Sequence, residues 1–223
     1  MITEKVNEMA LQHKYDLVIF DWDGTLMDSI GAIVSCMQAA AHDLSIEVPS
    51  ERAIRDLIGL SLPKILNILF IDLVHLHEDI VSRYRHHFLS ANTVSPLFEG
   101  SELLLKQLFI HGYTLAIATG KGRPGLDRVL ALSGMGHYFA ASRCADEMKS
   151  KPDPMMIDSL LAHFNVPAYR AVMIGDSVHD LHMANNAGVA AIGVSYGANL
   201  VEQLQTANPL AIVDSVAELV HYL

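Results

Sequence analysis

Short apolar runs recur along the chain, each closed by a polar or glycine-containing break and followed by a helical pattern. They are Leu17–Phe20, Leu115–Ala118, Ala171–Ile174 and Ala190–Val194. Unbroken apolar runs of this length suit strands buried on both faces, as in a parallel sheet covered by helices. Helical segments are predicted near 101–112, 124–134, 154–165, 179–187 and 199–206. Strand–helix alternation of this kind predicts an α/β fold, a doubly wound Rossmann-like parallel sheet. Two weaker strands are predicted at Tyr138–Ser142 and Ala211–Val213.

One stretch breaks the rhythm. From Ser29 to Ser95 no strand pattern occurs, and apolar residues recur at helical spacing: Ile30, Ile33, Val34 and Met37; Ile54, Leu57 and Ile58; Ile65, Leu66 and Leu69; Ile80, Tyr84 and Phe88. This predicts an all-helical insertion over 29–95, returning through Ser90–Gly100, where Asn92, Pro96 and Gly100 favour loop structure. Residues 1–28 and 96–223 then form the core.

A chain of 223 residues, 51% hydrophobic, buries a core large enough for one domain with an insertion. Its net charge of −10, with scattered basic residues, disfavours nucleic acid and anionic membranes as partners. The two cysteines, Cys36 and Cys144, build no disulfide framework. The polar N-terminus has no signal-like apolar run, and no apolar stretch is long enough to span a bilayer. A cytoplasmic location is expected, as a monomer or small homo-oligomer.

The most informative string is Asp21-Trp22-Asp23-Gly24-Thr25-Leu26, directly after the first apolar run. Ligands of open α/β sheets bind beyond the carboxyl ends of strands. An immediate turn at Gly24 presents the two carboxylates differently, one toward a substrate and a metal, the other toward a leaving group. Two carboxylates held together require a cation, and hard oxygen ligands favour Mg²⁺. An isolated Asp-x-Asp is more often an acidic loop capping a helix. The buried run before it and the Gly-Thr after it shift the balance toward chemistry.

This string resembles the first motif of the haloacid dehalogenase superfamily phosphatases. The resemblance implies that Asp21 attacks phosphorus to form an aspartyl-phosphate, and that Asp23 protonates the leaving alcohol and then activates water. It also implies Mg²⁺ ligation by an Asp21 carboxylate oxygen and the Asp23 backbone carbonyl.

Three further strings follow in the order that the family requires. Thr119-Gly120-Lys121, after the second run, resembles the second motif, with Thr119 as phosphate ligand and Gly120 and Lys121 at the substrate. Many relatives carry Asn where Gly120 stands, so a side-chain amide is lost here. Lys151-Pro152 resembles the third motif and implies that Lys151 balances the phosphate and the nucleophile, while Lys149 stays in solvent. Gly175-Asp176 with Asp180 resembles the fourth. It implies Asp176 as a Mg²⁺ ligand and Asp180 beside the metal or just behind its ligands, pairing with Lys151.

Helices between the first and second motifs resemble the C1-type cap of this family. Such a cap excludes water and places selective groups over the phosphate, pivoting here near Met27–Ser29 and Ser95–Glu99. The loop Ile58–Lys64 is a candidate specificity loop, with Lys64 toward an anionic leaving group; a solvated lysine in a first helical turn is the equal alternative, and Arg52 and Arg55 are substitutes. His75, His77, His86 and His87 lack zinc-site spacing and are expected at the surface; Trp22 and the methionines are expected in packing. The family reading implies hydrolysis of a small phosphorylated metabolite, resembling phosphoglycolate phosphatase. A β-phosphoglucomutase-like transfer is the nearest rival, and a phosphonatase using Lys64 a remoter one. Asp23 disfavours a dehalogenase, and the presence of Asp21, Lys151 and Asp176 disfavours a non-catalytic binding protein.

Overall fold

The computed structural model describes residues 13–90 and 95–223. Six parallel strands form one sheet: β1 (Leu17–Phe20), β2 (Thr114–Thr119), β3 (Ala141–Cys144), β4 (Ala171–Gly175), β5 (Ala190–Val194) and β6 (Ala211–Val213). Their order is β3-β2-β1-β4-β5-β6. Leu17 of β1 pairs in register with Thr114 on one side and with Ala171 on the other.

Side chains of a strand alternate between sheet faces, so successive residues of one apolar run feed two cores. Val18, Phe20, Leu115, Ile117, Val172 and Ile174 pack against α5 (Ser101–Ile110) and α6 (Arg123–Ser133). Leu17, Ile19, Ala116, Ala118 and Met173 pack against α7 (Met155–Phe164) and α8 (Val178–Asn186). Full burial contributes roughly 1.5–3 kcal/mol per large apolar side chain, so both faces must be covered. The doubly wound sheet is therefore the observed fold.

Between β1 and β2 lie α1 (Ile30–Asp43), α2 (Glu51–Arg55), α3 (Leu62–Leu69), a 3₁₀ segment Ile71–Leu76 and α4 (His77–Ser90). Ile33, Met37, Ile54, Leu66 and Ile80 give them a hydrophobic cluster of their own. Leu57 and Ile58 fall in the turn after α2 rather than on it, because the helix ends at Arg55. The two connections to the core lie side by side: Asp28 N donates to Pro96 O (2.9 Å) and Phe98 N to Leu26 O (3.0 Å). The predicted return through Asn92 lies outside the described residues. Among those described, no helix is long and apolar enough to cross a membrane.

One strand is displaced from its expected place. Met135–Tyr138 forms a 3₁₀ turn and β3 begins at Ala141. As an edge strand, β3 carries Ser142 and Arg143 and has no unbroken apolar run to announce it.

Candidate active site

The chain reverses direction along the sheet beside β1: it runs outward through β2 and β3, then crosses to β4. The crevice at such a switch point opens beyond the carboxyl ends of the strands. Asp21 follows β1, Thr119 closes β2, Lys151 stands between β3 and α7, and Asp176 follows β4. All four are buried, and so are Asp23 and Asp180.

Lys151 is the hub. Its Nζ lies 3.0 Å from Asp21 Oδ1 and 2.5 Å from Asp180 Oδ1, with no exposed side-chain surface. Burial works against its ammonium, but the charges of Asp180 and Asp21 outweigh that and hold its pKa above the ordinary lysine range. Asp180 in turn caps α8, accepting from Ser177 Oγ (2.6 Å) and Ser177 N (3.2 Å).

Gly24, at φ +76°, turns the chain as expected, and a β-carbon there would meet Asp176 Oδ2 at 2.1 Å. The turn separates the two carboxylates. Asp21 faces Lys151, whereas Asp23 accepts from Ser29 Oγ (2.5 Å) and pairs with Lys121 Nζ (2.9 Å). The Asp23 carboxylate is thus engaged by Ser29 and Lys121 rather than by Lys151. Lys121 also stacks over the Phe88 ring of α4 at 4.8 Å, so a core cation links an insertion aromatic to Asp23. Thr119 Oγ1 accepts from Lys121 N (3.2 Å) at the cleft floor.

Ligand atoms of Asp21, Asp176 and Asp180 lie within 4.8 Å of one another, balanced by one lysine. Burial above all lifts Asp21 to about 7, against the pull of Lys151 and with the help of the Asp180 and Asp23 charges. Burial, then Asp180 and Asp21, raises Asp176 well above the carboxylate range. Asp21 Oδ1 has the Lys151 ammonium at 3.0 Å as its one polar neighbour among the described side chains. Three buried carboxylates that share a single ammonium carry excess negative charge, and such a set of hard oxygen donors fits a divalent cation.

Several supporting groups escaped the sequence reading. Thr25 Oγ1 donates to Asp176 Oδ1 (3.0 Å), Ala198 N donates to Asp176 Oδ2 (2.7 Å), and Tyr196 Oη reaches Thr25 O (3.1 Å). Thr25 sat in view within the motif, but nothing in spacing links it to a residue 151 positions away.

Lys64 requires correction. It stands exposed in the first turn of α3 and donates to the backbone carbonyl of Lys151 (3.3 Å), outside the cleft lining. The reason is local: Pro63 and the start of α3 carry the lysine to the core rim. The insertion has no other lysine, so it offers no cleft amine for Schiff-base chemistry. Arg52 pairs with Asp56, and Arg55 reaches Gly197 O (3.3 Å); neither lines the cleft. Lys149 is exposed, and Trp22 is fully buried, as expected.

The model of the haloacid dehalogenase-like hydrolases matches residues 18–194. The chain belongs to this family. Among curated relatives, "Probable phosphatase IndB" of Dickeya dadantii is 37% identical over 210 residues, 92% of this chain and 91% of the relative. The phosphoglycolate phosphatase of Vibrio parahaemolyticus is 31% identical, covering 93% of this chain and 96% of that protein. Among solved structures, a "predicted phosphatase" from Clostridium acetobutylicum superposes with a TM-score of 0.83 at 27% identity, covering 93% of this chain and 97% of the other. This haloacid dehalogenase-like hydrolase therefore matches these relatives over nine-tenths or more of its length and of theirs.

Proposed function

We propose that this hydrolase is a Mg²⁺-dependent phosphatase that acts on a phosphate monoester through an aspartyl-phosphate on Asp21, with residues 29–95 as its cap. One observation carries the reading: the buried Asp21 carboxylate lies 3.0 Å from Lys151 Nζ, and Asp21, Asp176 and Asp180 have ligand atoms within 4.8 Å of one another. The relatives named as phosphatases support it.

In this reading Asp21, Asp176 and the Asp23 carbonyl hold Mg²⁺, with Asp180 close behind. The bound ion supplies neutralising charge and polarises the phosphoryl oxygens. Lys151, Thr119 and the backbone N–H groups beyond Thr119 hold those oxygens in line with Asp21. Asp21 attacks phosphorus as the ester C–O–P bond breaks on the phosphorus side, and Asp23 gives its proton to the departing alkoxide. Asp23 then takes a proton from the water that cleaves the Asp21 phosphoryl bond, restoring both acids. The insertion above the site limits access of other acceptors to the acyl phosphate.

The test is phosphate release from a panel of monoesters with Mg²⁺. Activity should vanish with a chelator and in Asp21→Asn. Turnover that survives both would exclude the mechanism.

A further inference from the structure

The cleft above Asp21 encloses about 460 Å³ and has two unlike walls. The core wall is polar, built from Asp21, Asp23, Thr119 and Lys121. The insertion wall presents Ile58, Leu60, Ile65, Val81, Tyr84 and Phe88, and its one charged side chain is Arg85. An apolar wall that served only to pack the insertion onto the core would be filled by core side chains, because interiors leave few voids. Here Ile58, Leu60 and Ile65 are buried in the insertion's own cluster, whereas Val81, Tyr84 and Phe88 are only partly buried and border open space. The space is of the size that receives ligands of roughly drug dimensions, about 300–1,000 Å³. Pro63, Val81, Arg85 and Leu89 also border a second hollow, of about 650 Å³, between α3 and α4, whose outer lining turns polar at His77, Glu78 and His86.

Gly120 deepens the contrast. The backbone of Gly59 and Leu60 occupies the place that a side chain at 120 would take, so that position offers a leaving group no polar handle. Arg85 and Arg128 line the cleft and form no ion pair among the described residues. They give a chain of net charge −10 a local attraction for a phosphate without making the wall hydrophilic.

We propose that the alcohol released is bulky and hydrophobic, aryl-substituted or branched, and that the insertion wall around Val81 selects it over small hydrophilic acids. The inference rests on the phosphatase reading and names its substrate class. A compact carboxylated alcohol would leave the apolar wall facing water, whereas a hydrophobic body would cover it.

The experiment compares ethyl phosphate, 2-phenylethyl phosphate and 2-phosphoglycolate with the full chain and Mg²⁺, reading kcat/KM from phosphate release. Ethyl and 2-phenylethyl alcohols are leaving groups of similar basicity, so their ratio reports the wall rather than the chemistry. The expected preference for 2-phenylethyl phosphate over each of the others is about tenfold or more, since one methylene in an apolar pocket is worth about tenfold upward. Val81→Asn should reduce that ratio several-fold and Val81→Leu should keep it; Val81 is only half-buried, so both variants should fold. A rate on 2-phosphoglycolate equal to or above that on 2-phenylethyl phosphate overturns the inference and leaves the phosphatase reading standing. So does a ratio that Val81→Asn does not change. Absence of Asp21-dependent release from every ester overturns the reading itself.

Discussion

Gly59 and Gly120 meet at backbone distance: a β-carbon on Gly120 would lie 2.5 Å from the Gly59 carbonyl oxygen. The loop between α2 and α3 therefore sits against the end of β2. Ser61 N donating to Ser150 Oγ (2.9 Å) and Lys64 donating to Lys151 O fix it there. The residue type at 120 and the depth of the insertion loop are coupled.

Gly120→Asn is accordingly expected to lift the loop from the core. Gly120 is not among the positive-φ glycines, so the new residue strains no backbone dihedral, but its β-carbon displaces the Gly59 and Leu60 backbone and the melting temperature should fall. The catalytic groups would lose their cover, and displacements of about 1 Å near reacting groups cost up to about 100-fold in rate. A fall of tenfold or more in kcat/KM, measured at a temperature where the variant is still folded, is the expected result. Steady-state kinetics beside a thermal melt decides it.

Lys151→Met removes the cation between Asp21 and Asp180. Breaking a buried ion pair from one side costs about 3–5 kcal/mol, because the remaining charges stay buried without compensation. Mg²⁺ should return part of this stability by neutralising the carboxylates, yet restore no activity, since the phosphate has lost its lysine. Chemical denaturation with and without Mg²⁺, alongside phosphate release, measures both halves.

Thr25→Val deletes the hydroxyl that orients Asp176 Oδ1 while preserving shape. Groups that orient metal ligands affect affinity by about 10–100-fold. The Mg²⁺ concentration for half-maximal activity should rise by about tenfold or more, with the rate at saturating Mg²⁺ nearly unchanged. A Mg²⁺ titration of both proteins checks this.

What the sequence disclosed follows from burial. The runs of β1, β2, β4 and β5 are apolar on both faces, so each announces a strand. The acids and Thr119 stand at their carboxyl ends, where a reader looks first. β3 is an edge strand with Ser142 and Arg143, and was misplaced by three residues at its start. Tyr84 and Phe88 follow Ile80 at helical spacing, and a stripe that fills a core reads the same as one that lines a cleft. Only the three-dimensional arrangement separates fully buried Ile80 from its two cleft-facing neighbours. Ser29, which holds Asp23, reads in the sequence only as the end of the Met27–Ser29 pivot, because its partner is set by the turn at Gly24.

Glu147 contributes one share of the pH response of the fold. Arg123 Nε donates to Glu147 Oε1 and Nη2 to Oε2, both at 2.8 Å, and Cys144 N also donates to Oε2 (3.2 Å). This fork ties the start of α6 to the turn after β3. The hydrogen bonds from Arg123 first, and the Cys144 N–H with them, hold the Glu147 carboxyl below its ordinary pKa of 4.5. A carboxyl depressed by folding adds stability that is complete above its unfolded value and disappears as pH falls through the folded one. Its side chain is 38% exposed, so solvent screens much of the attraction. A bidentate geometry still sustains about 1 kcal/mol, near the upper end for exposed pairs. Glu147→Gln should therefore lower stability by about that amount at neutral pH. The gap to the native protein should hold down to about pH 5 and close as the solution is taken below the ordinary glutamate range. Urea denaturation of both proteins from pH 7 down to 3.5 reads this directly; a gap that widened toward acid would mean that the fork does not stabilise the fold through the ionised carboxylate.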